Sequence, residues 1–245
     1  MIVRPVHPVC GDPIETTDAD ARDRLSAIYE PPASDWLRIN LITSIDGSSR
    51  GSDGTSETLS NPADRAILGV IRAQSDIVLV GAQTLRAEGT LLPKTARLAV
   101  LTAGGDLSGA RVRDDVEPGR ILVMGPARAE AAVRRTFSAP HEFVVLDTAP
   151  GAPPDGPVDV RVVVAALRER GLRRIVSEGG PRIAAQLLSA GLVDELCLST
   201  SPQMIGGAGG PFGDAALPAL PATLTSLLID DSGGLYARWR LSRSA

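Results

Sequence analysis

The chain has 245 residues, 43% of them hydrophobic and only 3% aromatic, with 25 Lys and Arg against 29 Asp and Glu for a formal net charge of −4. That composition suits a soluble globular chain with a full core, excludes overall disorder, and lacks the basic patch or aromatic stacking platform of a nucleic-acid binder. No apolar run approaches the about 20 residues that span a bilayer, no secretory segment opens the chain, and Cys10 and Cys197 make neither a disulfide framework nor a zinc set, so a cytoplasmic, metal-free protein with a small-molecule partner is expected.

In chain order, residues 1–35 are rich in Pro, Asp and Thr, with one short amphipathic stretch from Asp18 to Ile28, and read as an N-terminal arm with little chemistry. Residues 36–245 read as one domain. Strand-length apolar runs begin at Leu37–Thr43 and recur at Ile77–Val80, Leu98–Leu101, Ile121–Met124, Phe143–Leu146 and Arg174–Ser177. Such runs suit buried, mostly parallel strands. Between them lie segments of helical period at Pro62–Gln74, Arg128–Thr136, Val158–Arg170 and Pro181–Ala190, with Pro150–Pro157 as a loop. The alternation predicts an α/β fold with a doubly wound sheet and a ligand near the carboxyl ends of its strands. After Val193 the rhythm changes to Glu195–Thr200, Thr223–Asp230, the turn Asp231-Ser-Gly-Gly234 and Leu235–Leu241, which predicts an antiparallel C-terminal hairpin closing one edge.

The most informative junction is Ser177-Glu178-Gly179-Gly180-Pro181-Arg182, where a buried strand runs into a helix. Glycines let a pyrophosphate approach the main chain, first-turn N–H groups point at it, and Pro181 fits at N1. Gly81-Ala-Gln-Thr84 repeats that logic after an earlier strand, and two such junctions suit the two halves of a dinucleotide. The commonest Gly-x-Gly-x-x-Gly cradle is absent, so a different cradle is required. Asn40, Ser44, Asp46 and Gly47 lead into a Gly/Ser-rich loop, Ser48–Ser60, of functional length; Ser44 and Asp46 read either as turn caps or as ligand contacts. Arg65 and Arg72, seven residues apart, lie within about 20° of one another on a helix and either address one anion or stand solvated. A further glycine-rich segment, Ser201–Gly210, follows the strand ending at Thr200. With only His7 and His141 and no Gly-x-Ser-x-Gly turn, a hydrolase fits poorly, and acid–base work falls to Asp46 or Glu178.

Taken together, these residues resemble the riboflavin-biosynthesis pyrimidine reductases, a dihydrofolate-reductase-like family that occurs alone or as the C-terminal half of bifunctional deaminase-reductases. The resemblance runs from about Leu37 to Leu241. It rests on Asn40, Ser44, Asp46 and Gly47; on Leu59-Ser-Asn-Pro with Asp64 and Arg65; on Ile71-Arg72-Ala73 with Asp76; on Val80-Gly81 with Thr84, Arg86 and Glu88; on Glu178-Gly179-Gly180-Pro181; and on Pro202 with Gly206 and Gly207. It implies an NADPH-dependent oxidoreductase of the 5-amino-6-(5-phosphoribosylamino)uracil reductase type, converting a ribosylamino-pyrimidine 5′-phosphate to its ribityl form, as a homodimer. By resemblance, Ile42 and Thr43, Thr58, Thr84, Glu88, Thr102 and the Gly179, Gly180, Pro181, Arg182 and Ile183 segment, beside Gly81, hold NADPH. Ser56, Arg72 and Glu178 hold the substrate, Arg72 at its phosphate or base, and Glu178, Asp46 and Asn40 form the catalytic group. Asn40 stands where bifunctional enzymes often carry Lys and matches the standalone archaeal type. The family's second substrate arginine has no clear counterpart in Gly89–Lys94, with Lys94 or Arg97 as stand-ins. Reduction of dihydrofolate or another pterin, or an idle NADPH-binding module, are the alternatives.

Overall fold

The computed structural model describes residues 1–88, 92–147, 158–206, 209–213 and 215–242. The expected loop at Pro150–Pro157, residues 89–91 and Gly207 lie outside these. The elements run β1 (Ile2–His7), β2 (Ile14–Glu15), α1 (Ala21–Tyr29), β3 (Trp36–Ser44), α2 (Pro62–Ala73), β4 (Ile77–Gly81), α3 (Ala82–Ala87), β5 (Arg97–Leu101) and β6 (Ile121–Gly125). A short 3-10 turn at Ala127–Ala129 leads into α4 (Glu130–Thr136), followed by β7 (Glu142–Val145), α5 (Val160–Glu169), β8 (Arg174–Ser177), α6 (Pro181–Ser189), β9 (Glu195–Ser201), β10 (Ala222–Asp230) and β11 (Leu235–Leu241).

All the strands join one 11-stranded sheet in the order β2-β1-β10-β11-β9-β3-β8-β4-β5-β6-β7. From β9 to β7 every pairing is parallel, whereas β11, β10, β1 and β2 add on antiparallel. The central strands are apolar on both faces because both are covered: Ile77, Val78, Leu79 and Val80 are all fully buried. Val78 and Val80 pack with α1, α2 and α4, while Ile77 and Leu79 pack with α5 and α6. Helix α2 begins where Asn61 accepts a hydrogen bond from the Asp64 N–H at 2.9 Å with Pro62 in its first turn, and it buries Ala63, Ile67, Val70 and Ile71. Burial of Ile67 and Ile71 contributes about 1.5–3 kcal/mol each.

Two expectations change. The first 35 residues are not an arm standing off the domain: β1 pairs with β10, β2 with β1, and α1 packs on α2. Val3, Ile14, Leu25 and Tyr29 are no more than 1% exposed. Prolines at 5 and 8 and the brevity of β2 break the period-2 pattern that would have advertised these strands. For the same reason the C-terminal hairpin does not close an edge, since β1 covers β10 and β9 covers β11.

The end of α1 is held by charge. Arg38 Nη2 donates to the Tyr29 carbonyl at 2.9 Å and Arg238 Nη1 to that of Ile28, so two cations meet the helix's carboxyl terminus. Glu195 sits between them, accepting from Arg38 Nε at 3.0 Å, Arg238 Nε at 2.7 Å and Trp36 Nε1 at 3.3 Å. Burial first, and then the Glu195 charge, pushes the neighbouring Cys197 thiol up to about 12, leaving it protonated and inert.

Candidate active site

Strand β3 feeds α2 on one face of the sheet, and its neighbour β8 feeds α6 on the other. The crevice between their carboxyl ends is therefore a topological switch point, where open α/β sheets bind ligands. Ile39 of β3 and Leu79 of β4 both register with Ser177, so Glu178 emerges between Asn40 and Val80, its N–H bonded to the Leu79 carbonyl at 3.1 Å. Side chains of a helix lean toward its amino end, which carries Arg72 from the last turn of α2 back toward the strand termini. There Arg72 Nε and Nη2 donate to Glu178 Oε1 and Oε2 at 2.7 and 2.5 Å. Burial opposes the Arg72 charge, but the Glu178 hydrogen bonds and charge outweigh it and hold the guanidinium's pKa above its ordinary value. Asn40 is half-buried beside this pair and makes no side-chain hydrogen bond among the described residues.

At the carboxyl ends of β4 and β8, the two glycine junctions meet. A Cβ on Gly179 would lie 2.8 Å from Thr84 Cγ2, and one on Gly81 would lie 3.2 Å from Ile183 Cδ1. Gly180 has φ 82° and ψ 122°, a conformation L side chains rarely adopt, and turns β8 into α6 with Pro181 following. No side chain caps α6; Pro181 has no N–H and the Ile183 N–H bonds the Gly180 carbonyl at 3.0 Å, which leaves the N–H of the exposed Arg182 for an anion. These features fit a dinucleotide phosphate. Thr43 is buried at 5% near the end of β3. Thr102 spends its hydroxyl locally, accepting from the Gly105 N–H at 2.9 Å at the end of β5.

The Ser48–Ser60 loop is internally bonded. Asp53 accepts from the Thr55 N–H and hydroxyl and from Thr58 Oγ1, so the exposed Thr58 hydroxyl already has a partner. Ser56 and Glu88, expected at different ligands, form one contact: Glu88 Oε1 accepts from the Ser56 N–H at 3.2 Å and its hydroxyl at 3.1 Å. Asp46 accepts from Ser44 Oγ at 2.5 Å and from the N–H groups of Gly206 and Ile205 at 2.7 and 3.2 Å. The Ser44 bond first, and those two amides next, lower its carboxyl to about 2. A carboxylate held that low carries no proton near neutrality, so Asp46 braces the turn after β3 against the glycine-rich loop after β9; an acid role does not fit it. Gln203 adds to that brace, donating to the Thr58 carbonyl and Ser201 Oγ at 2.9 and 3.0 Å.

Two cations do not reach the crevice. Arg97 opens β5 at the amino end of the sheet, donating to the Gly119 carbonyl at 2.6 Å, and Lys94 lies just before it, its carbonyl 3.3 Å from Arg120 Nη2. Neither stands in for the family's second arginine. Arg65 pairs with Glu57 at the surface, 2.5 Å away, and does not share an anion with Arg72. Sequence reasoning singled out Arg72, Glu178, Ser56 and Glu88 but missed that they form two side-chain pairs. Those partners are far apart in sequence, and spacing carries no signal of such pairing.

Residues 35–235 match the family described as the RibD C-terminal domain. The chain belongs to that family. Among relatives of this RibD-type domain, the 2,5-diamino-6-ribosylamino-4(3H)-pyrimidinone 5′-phosphate reductase of Archaeoglobus fulgidus is 28% identical over 192 residues, covering 72% of this chain and 84% of that one. The riboflavin biosynthesis protein RibD of Chlamydia pneumoniae is 25% identical over 222 residues, 84% of this chain but 57% of the longer relative. A pyrimidine reductase-like protein from Corynebacterium diphtheriae superposes with a TM-score of 0.75 at 24% identity, covering 90% of this chain and 99% of that one. The RibD-type fold is dihydrofolate-reductase-like, with a mostly parallel, doubly wound sheet.

Proposed function

We propose that this chain reduces the ribosylamino group of a pyrimidine 5′-phosphate to the ribitylamino group in riboflavin biosynthesis, with NADPH as reductant. The observation that carries the reading is the placement of Glu178, fixed by Arg72, at the switch point directly before the Gly179–Gly180 turn, within a RibD C-terminal domain. Thr84, Gly81 and the α6 amino terminus with Arg182 hold the dinucleotide; Asn40, Ser56 and Glu178 meet the substrate. NADPH, when bound, supplies a hydride. The opened ribose forms a C=N bond at C1′; one hydride to carbon and one solvent-derived proton to nitrogen give the CH–NH product. Glu178 orients the ribose hydroxyls and keeps a negative charge beside the nitrogen as it becomes cationic, and orientation supplies much of the rate.

The name of the Archaeoglobus fulgidus relative, a 2,5-diamino-6-ribosylamino-4(3H)-pyrimidinone 5′-phosphate reductase, supports the 2-amino pyrimidine as this chain's substrate. Two thiols and no disulfide suit the cytoplasm. A homodimer belongs to the same reading: Leu196, Leu198, Ala237 and Trp239 lie half-buried on one face of β9 and β11, while alternate residues of β9 are buried beneath the other. Light scattering at twice the chain mass, reverting to the monomer mass in Trp239→Lys, is the expected result.

The test of function is NADPH oxidation with the 2-amino and the 2-oxo ribosylamino-pyrimidine 5′-phosphates, the Glu178→Gln variant alongside. Turnover with the 2-amino compound, lost in the variant, is expected. Turnover with neither, or with a pterin instead, overturns the reading.

A further inference from the structure

We propose that the contact between Ser56 and Glu88 couples the two halves of the crevice, so that the dinucleotide and the pyrimidine each tighten the binding of the other; the inference deepens the reductase reading and rests on it. Glu88 Oε1 accepts from both the Ser56 N–H, at 3.2 Å, and the Ser56 hydroxyl, at 3.1 Å. The other oxygen, Oε2, makes no hydrogen bond among the described residues and is left to accept from a hydroxyl of a bound sugar. One half-buried carboxylate therefore holds the loop with one oxygen and offers the second to a ligand.

Both partners belong to stiff pieces of chain. On one side, the Asp53 carboxylate ties Thr55 and Thr58, the Leu59 N–H donates to the Ser56 carbonyl at 3.1 Å, and Ser60 Oγ donates to Asp64 Oδ2 in the first turn of α2 at 2.8 Å. Leu59, 2% exposed, roots that piece in the protein. On the other side, Glu88 ends α3, its N–H bonded to the Thr84 carbonyl at 2.9 Å, and the helix is held down by the fully buried Leu85. Thr84 rests on the Gly179 junction, its Oγ1 3.0 Å from where a Cβ on that glycine would stand. Helix α3 thus runs from the proposed dinucleotide cradle at Gly81 and Gly179 to the loop that carries the proposed substrate residue.

Two ligands at separate sites influence each other through an element whose position both of them bias. Here that element is a six-residue helix with a hydrogen-bonded carboxylate at its end. A dinucleotide seated against Thr84, with a sugar hydroxyl on Glu88 Oε2, fixes the carboxylate in the rotamer that receives Ser56. The entropy of ordering the Ser56 loop is then already lost when the pyrimidine arrives, so its binding is tighter. Linkage makes the effect reciprocal, by the same factor in both directions. Other hydrogen bonds of the loop do not carry it: those of Asp53 stay within the loop, and Gln203 joins it to the segment after β9. Among the described residues, the Ser56–Glu88 pair alone bridges residues 48–60 to α3 and its end by hydrogen bonds.

The experiment measures the affinity of the 2-amino ribosylamino-pyrimidine 5′-phosphate by isothermal titration, without cofactor and with saturating NADP⁺, which has no hydride to give and leaves the compound intact. In wild type the affinity is expected to rise roughly tenfold with NADP⁺ present, and NADP⁺ affinity to rise by the same factor with the pyrimidine present. In Glu88→Ala that factor falls to near one, whatever happens to each affinity alone; in Glu88→Gln, whose amide carbonyl still accepts from Ser56, part of it survives. A residue that only touches one ligand or props the loop lowers an affinity and leaves the factor as it was. An unchanged factor in Glu88→Ala therefore overturns the proposal, as does a factor of one in wild type.

A second measurement needs no pyrimidine. Hydrogen exchange of the amides at 53–60 is expected to slow when NADP⁺ is added to wild type and to stay as in the free protein in Glu88→Ala. No slowing in a wild-type chain that binds NADP⁺ ends the proposal, and a chain that binds no NADP⁺ ends both this inference and the reductase reading. Slowing in a chain that takes neither the 2-amino nor the 2-oxo compound upholds the link from cradle to loop and defeats the reductase reading alone.

Discussion

Two enclosed ion clusters sit on the same face of this sheet, and they differ in what surrounds them. Arg38, Glu195 and Arg238 join the start of β3 to β9 and β11; their side chains are 2%, 3% and 10% exposed, and one Nη of each arginine donates to a main-chain carbonyl of α1. Arg72 and Glu178 lie where the parallel strands end, and Arg72 keeps 19% of its side-chain surface. The first cluster is closed by protein and can only hold the fold together. The second faces a crevice between a strand that turns to one side and a strand that turns to the other. Burial and pairing alone therefore do not mark a site; position at the switch point, with a side left open, does.

Four changes break or sharpen that contrast. The largest effect belongs to Glu195→Gln, which leaves two buried guanidinium groups without a counter-charge and costs about 3–5 kcal/mol in urea unfolding; turnover per folded molecule is retained. Glu178→Gln reverses the pattern, losing on the order of a hundredfold in kcat/KM with a smaller loss in Tm than Glu195→Gln. If the two variants move the same quantity, the clusters are not different in kind. Gly180→Ala forces a side chain into a strained backbone region at about 1–3 kcal/mol, and isothermal titration is expected to read that loss in NADPH affinity. The smallest effect is that of Asp46→Asn. Its folded carboxyl lies at about 2, against an unfolded value of about 3.9, so its contribution is complete above pH 4 and is lost as pH falls through about 2. Acid titration followed by circular dichroism is expected to be flatter between those limits in the variant.

Much of the parallel half was legible because its strands are apolar on both faces and its helices keep a 3.6 period. Pro62–Ala73, Ile77–Gly81 and Pro181–Ser189 fall within a residue of where that patterning put them. The glycine junctions were legible as well, since a strand running into Gly-Gly-Pro has few other uses. The antiparallel half was not. Strand β1 has only six residues and includes Pro5, β2 has two, and neither shows an alternation long enough to read. Their existence also displaced the hairpin from the edge to the interior, a consequence of topology that local sequence does not carry. Within the site, residue identities were visible but partnerships were not. Glu88 was read as a cofactor contact and Ser56 as a substrate contact, yet they bond each other; Asp46 was read as a turn cap or a ligand contact and as one of two candidates for acid–base work, and three donors hold it in the turn. Hydrogen bonding across loops depends on where the chain returns, and spacing says nothing about that.

The insertion of β8 between β3 and β4 bears on how the molecule comes into being. Arg72 and Glu178 are separated by 106 positions along the chain, and β4, β5, β6 and β7 are all made before the strand that must slot between β3 and β4. Closing so long a loop has a large entropic cost before its contacts repay it, which places this step late and makes it slow. A nascent chain that has not yet delivered residue 178 can build flanking structure but has no crevice. In refolding, recovery of NADPH binding is therefore expected to follow the slowest tertiary phase, after most helical signal has returned.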